Sequence, residues 1–140
     1  MARFSTLLLV SLLTGCALMR PAPQGPAIDA RVEVVGLLGK PRPVHSLTLE
    51  LRDAGGARWQ CAGTPTPLRC PPLPAGRYRP TALLLHLPEG TRRIPLADAG
   101  LSPAELDGGR LEARVHLGHR RLLAHRAHLR PAPDTRAPGP

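Results

Sequence analysis

An all-β fold, a β-sandwich of about seven short strands, is predicted for this chain by three observations. Apolar–polar alternation recurs along it, 18 prolines and 14 glycines punctuate its 140 residues, and only one short stretch carries a helix start signal. The alternation is cleanest in "SLTLELRD", where Leu47, Leu49 and Leu51 interleave with Ser46, Thr48, Glu50 and Arg52, the period-two mark of a half-buried strand. "DAGG" at 53–56 is turn chemistry, and "ARWQC" returns with Ala57, Trp59 and Cys61 on one face. "RLEARVHL" repeats the pattern with Leu111, Ala113, Val115 and Leu117 facing inward. "RVEVVGLL" and "YRPTALLLHL" are richer in apolar residues and read as strands covered on both faces. The helix signal lies between 97 and 109: Ser102-Pro103-Ala104-Glu105 is a capping box with proline at the first helical position, and Gly108 ends it.

Composition narrows the classes. The chain holds 19 basic against 10 acidic residues, a formal net charge of +9, and Lys40 is the sole lysine. Heavy use of Arg, Ala, Pro, Gly and Leu is what codon bias in a GC-rich genome produces, so the charge permits contact with polyanions without arguing for it. Phe4, Trp59 and Tyr78 are the only aromatics, so the core is built from Leu, Val and Ala. Such a small core is marginal, and a covalent staple would matter.

The N-terminus reads as an export signal over residues 1–15: Arg3, then the apolar run "FSTLLLVSLL", too short to span a bilayer as a helix. It ends in Leu13-Thr14-Gly15-Cys16, which resembles the lipobox of bacterial lipoproteins at all four positions. The resemblance implies cleavage between Gly15 and Cys16, a diacylglycerol on the Cys16 thiol and acylation of the new amine. Two or three acyl chains anchor a protein stably, each buried methylene contributing about 0.8 kcal/mol. Ala17 is not the aspartate that retains enterobacterial lipoproteins at the inner membrane, which favours an outer-membrane anchor. Residues 16–29 follow as the lipidated cysteine and a Pro-rich tether, residues 30–130 as the domain, and 131–140 as a disordered Pro-rich tail.

Export places the remaining cysteines, Cys61 and Cys70, in an oxidising compartment, where an even pair nine positions apart reads as a disulfide. Metal binding is the rival, but no second Cys/His pair stands at finger spacing.

The run from Val34 to Leu85 resembles a carboxypeptidase-regulatory-like domain of transthyretin type. The matching features are "VVGLLGKPRPVHSLTLELRD", with Gly36 after the strand and Gly39 and Pro41 at the turn, and "LPAGRY", whose Tyr78 follows the turn glycine. The resemblance implies a Greek-key sandwich, a tyrosine packed into it and a non-catalytic role. The family's turn aspartate is missing, Pro65 to Cys70 replace its glycine–phenylalanine strand entry, and 88–129 lie outside the match.

Histidine offers the most pointed chemistry. His116, His119, His125 and His128 form two His-x-x-His pairs in "HLGHRRLLAHRAH", a metal-binding spacing on a helix. On strands, a two-residue turn at Gly118-His119 sets Val115 opposite Leu122, Ala113 opposite Ala124 and Glu112 opposite His125. His116 and His125 then share a face about 13 Å apart, and His125 and His128 point to opposite faces. Neither pair chelates a metal there, and the interspersed arginines oppose a cation. Arg114, Arg120, Arg121, Arg126 and Arg130 form instead a basic strip suited to phosphate, with no acidic residue between Glu112 and Asp134.

No nucleophile elbow, carboxylate pair or phosphate loop stands out, and no cofactor is expected. Nucleic acid is disfavoured, since an exported chain offers only Trp59 and Tyr78 for stacking. The sequence therefore predicts an outer-membrane lipoprotein facing the periplasm, a non-catalytic accessory or scaffold subunit for another envelope protein. The alternative is a module binding polyanionic glycan, lipid or metal through segment 114–130.

Overall fold

The computed structural model describes residues 24–64, 66–119 and 121–133. The predicted signal, Gly15, Cys16, most of the tether and most of the tail lie outside the described residues. Eight strands form: β1 (Ala27–Val35), β2 (Ser46–Asp53), β3 (Arg58–Gly63), β4 (Leu68–Arg69), β5 (Tyr78–Leu87), β6 (Gly90–Pro95), β7 (Arg110–Leu117) and β8 (Leu122–Arg130). One helical turn, α1 (Pro103–Leu106), precedes β7. The all-β expectation holds, with the two-residue β4 bringing the strands to eight. β1 takes in residues 27–29, which the sequence assigns to the tether.

The strands run in the order β6-β5-β2-β3-β4-β1-β7-β8. Within it, β5-β2-β3-β4 is the spatial order of a Greek key: three consecutive antiparallel strands, with the fourth returning beside the first. The sheet is continuous through β1. Its first residues pair antiparallel with β4 (Ile28 opposite Leu68), and the rest pairs parallel with β7 (Ala30 opposite Leu111). The result is one nearly closed sheet, open between β6 and β8.

Alternation puts the core where it was expected. Leu47, Leu49 and Leu51 are fully buried, and Leu111, Ala113, Val115 and Leu117 line the opposite wall. Every strand contributes to the single core cluster, which Leu106 of α1 closes at one end. Burying a leucine contributes about 1.5–3 kcal/mol, so this row of aliphatics is the main stabilising term in a chain with three aromatics. Cys61 and Cys70 are disulfide-bonded and buried, tying β3 to the segment after β4. Tyr78, after the "LPAGRY" turn, is buried at the start of β5.

The helix start behaves as its residues dictate. Ser102 Oγ accepts from the Glu105 amide at 3.2 Å, and Glu105 Oε1 accepts from the Ser102 amide at 3.1 Å. Gly108, at φ +78°, follows the turn. Beyond β8 the chain is still held at Ala132, whose amide donates to the Glu105 carbonyl at 3.0 Å.

Candidate functional site

β1, β7 and β8 carry most of the residues singled out above. Their pairing lines up outward side chains in rows across three strands: Asp29–Arg110–Arg130, Arg31–Glu112–His128 and Glu33–Arg114–Arg126. The second and third rows, with Arg130 of the first, line a shallow hollow of about 730 Å³. The strip of segment 114–130 is therefore not one-sided. Read alone it is basic, but β1 sets acids beside it: Glu33 Oε2 lies 3.7 Å from Arg114 Nε, and Asp29 Oδ2 lies 3.9 Å from Arg31 Nε. What survives is an arginine surplus at the β8 side. Among the described residues, neither Arg126 nor Arg130 has a carboxylate within 4.0 Å.

The hairpin register differs from the expected one by three residues. Leu111 opposes Leu129, Ala113 opposes Ala127, Val115 opposes His125 and His116 opposes Ala124, with a bulge before Leu117 meets Leu122. The connection is 118–121 rather than a two-residue turn, closed by the Gly118 amide donating to the Arg121 carbonyl at 2.7 Å. Burial explains the choice: this register places Leu129 opposite buried Leu111, leaving it 5% exposed, whereas the expected one would carry it past the end of β7. An odd shift flips faces, so His116 and His125 lie on opposite faces instead of sharing one. His116 and His128 share the outer face but sit four ladder positions apart, about 13 Å. His119 and Arg121 are exposed in the connection, and Arg120 lies outside the described residues. Among the described residues, no group of three or more His, Cys, Asp or Glu side chains is placed to hold a metal ion.

Two features of this region were missed in the sequence. Arg31 and Arg110 belong to the face, and Asp98 fastens its lower end. The Leu129 amide donates to Asp98 Oδ2 at 3.1 Å, while Asp98 Oδ1 lies 3.5 Å from His128 Nδ1. Asp98 sits in the connection leaving β6, so it bridges the two ends of the open sheet at one point. At the other end the gap widens into a cavity of about 440 Å³ between the β5–β6 turn and the β7–β8 connection, with Glu89, Arg92, Leu117 and His119 among its lining residues.

On the far side of the molecule, Thr48 Oγ1 stands 2.8 Å from His86 Nε2, and His86 Nδ1 stands 3.0 Å from Thr91 Oγ1. The hairpin puts His86 directly opposite Thr91, a pairing that the turn at Pro88-Glu89 could have disclosed. This hydroxyl–imidazole–hydroxyl chain satisfies its polar atoms, and among the described residues no carboxylate orients the ring. Carboxylates held below their ordinary pKa lie away from the arginine face. The Trp59 indole N–H and the Ala57 amide lower Asp53, and the backbone and side chain of Ser102 lower Glu105. Glu89 is lowered by its own amide and by Arg42.

Comparison with protein-family models, curated proteins and solved structures finds no match for the chain.

Proposed function

We propose that this chain is a lipid-anchored, non-catalytic envelope protein, held at the outer membrane through Cys16 and facing the periplasm, that acts as an accessory or scaffold subunit for another envelope protein. The lipobox-like Leu13-Thr14-Gly15-Cys16 supports the anchor, and a disulfide-closed domain suits an oxidising compartment. The observation that carries the role is the sheet left open at β8, a nine-residue strand whose outer edge pairs with no other strand among the described residues. The likeness of Val34–Leu85 to carboxypeptidase-regulatory-like domains fits a non-catalytic part.

The test has two arms. Cys16→Ser should accumulate as unprocessed, unlipidated precursor, and normal maturation of that variant would remove the anchor. Purification of the tagged protein from crosslinked membranes should return one stoichiometric envelope partner, identified by mass spectrometry. A clean monomer would instead favour the second reading.

That second reading is a polyanion-binding module, and one observation favours it. Arg114 faces Arg126 and Arg110 faces Arg130 across the same pair of strands. Like charges directly opposite destabilise a sheet, and a phosphate or sulfate bound at either pair would relieve it. Salt-dependent binding to lipopolysaccharide, lost when Arg114, Arg126 and Arg130 become glutamine, would establish it.

A further inference from the structure

β6 and β8 are the two edges of the nearly closed sheet, and they are unequal. β6 is short and ends in Pro95. The Leu96 amide, next along the chain, donates inward to the Thr81 carbonyl at 3.0 Å, so by alternation Pro95 turns its missing N–H outward, the usual device for blunting an edge. β8 is longer and has no proline between Leu122 and Arg130. Its Leu129 amide points away from β7, where Asp98 takes it. Alternation therefore turns the N–H and C=O groups of Ala127 and His125 outward as well. Among the described residues no strand pairs with them.

The inner face of β8 is also unfinished. His125 lies opposite Val115, which is fully buried, yet His125 itself is exposed, and Leu123 beside it is 63% exposed. A strand that reaches a dry core on one neighbour and water on the next position lacks its own neighbour. On the outer face, the row Glu33–Arg114–Arg126 runs negative, positive, positive, and ends at an uncompensated arginine on the open side.

We infer that the free edge of β8 between Leu123 and Ala127 receives an extended segment of the partner protein, added as a further strand in the gap between β8 and β6. The segment carries an acidic residue on its outward face beside Arg126 and apolar residues on its inward face over Leu123 and Ala127. This inference rests on the accessory-subunit reading and names the chemistry of the partner. Backbone hydrogen bonds to Ala127 and His125 supply affinity, and the acid beside Arg126 sets register by giving that arginine the carboxylate it lacks. Asp98 ends the docking site, because it already occupies the Leu129 amide.

The experiment places a photoreactive amino acid at position 125, or at position 60 on exposed β3 as a control, in the full chain in its own cells. Crosslinked peptides are then sequenced. Position 125 should capture a partner peptide of alternating apolar and polar residues with an acid at an outward position, and position 60 should not. Ala127→Pro removes one outward N–H without touching the β7 ladder, and Arg126→Glu reverses the register charge while leaving the backbone intact. Each should lower the crosslink yield about tenfold or more at unchanged levels of mature protein. A partner captured equally from both positions, or unaffected by Arg126→Glu, overturns the edge inference and leaves the accessory reading standing. Capture of a second copy of this chain alone overturns it in favour of self-association. Absence of any partner, both here and in the tagged purification, removes the accessory reading as well.

Discussion

The Tyr78 ring stands edge-on to Trp59, with centroids 6.0 Å apart and planes at 85°, and its hydroxyl donates to the Pro74 carbonyl at 2.6 Å. Trp59 in turn donates from Nε1 to Asp53 Oδ2 at 3.1 Å. The two aromatics of the described domain thus join the turn before β5 to the β2–β3 turn. Tyr78→Phe keeps the ring and loses the hydrogen bond, and should cost about 1 kcal/mol. Tyr78→Ala should cost about 3–5 kcal/mol, because it empties the site of a fully buried ring in the core. Urea unfolding of both variants checks this. A Phe variant as stable as the wild type would mean that the Pro74 carbonyl is equally well served by water.

The disulfide acts on the same end of the core. It closes a ring of nine-residue separation, for which the chain-entropy model gives about 2–3 kcal/mol. Cys61→Ser with Cys70→Ser should lower stability by about that amount, and thiol labelling of the native protein should find neither Cys61 nor Cys70 until reductant is added. Labelling without reductant would show that the pair is not formed in solution.

What the sequence disclosed and what it hid differ for a physical reason. Strands with one wet face were legible. Leu47, Leu49 and Leu51 alternate with polar residues, and Leu111 to Leu117 do the same, because period two is local. The capping box at Ser102 and Glu105 was legible for the same reason. Register was not. The β7–β8 hairpin accepts two apolar pairings three residues apart, and the decision rests on burying Leu129, a long-range matter. The arginine face was half legible. Its β8 cations were visible in the segment, but the acids that temper it stand on β1, some 80 residues away. Yet the signs Asp29, Arg31, Glu33 and Arg110, Glu112, Arg114 are complementary position by position, and that pattern could have predicted the parallel β1–β7 pair. Asp98, a lone acid in a connection, carries no local signal for its contact with Leu129.

Acid should weaken the fold through its held carboxylates. Glu105 and Asp53 have folded pKa values below their ordinary ones, so the stability they contribute is fully present above the unfolded carboxylate range. It is lost as pH falls through the folded values. Thermal melts should therefore stay level near neutrality and fall below about pH 4. Glu105→Gln preserves the capping geometry without the titration, and should flatten part of that fall. Ser102→Ala should cost about 1 kcal/mol at neutral pH, from loss of the cap itself. An acid limb unchanged by Glu105→Gln would assign the loss to other groups.

Arg126 decides between a structural and a functional account of the arginine face. It opposes Arg114, which already leans toward Glu33 at 3.7 Å, so Arg126 faces a cation and gains no ion pair among the described residues. A residue kept for the fold alone would be better acidic there. Arg126→Glu should then raise stability by about 0.2–1 kcal/mol, since it turns a like-charged cross-strand pair into an opposite one. The gain should shrink in about 1 M salt, where screening acts within about 3 Å. Melts of wild type and variant at low and high salt measure it. A more stable variant that no longer binds its partner or polyanion would show a site that trades fold stability for recognition. A variant that is less stable at both salts would show that the Arg126 side chain packs along β8 through its aliphatic stem, and that its charge is incidental.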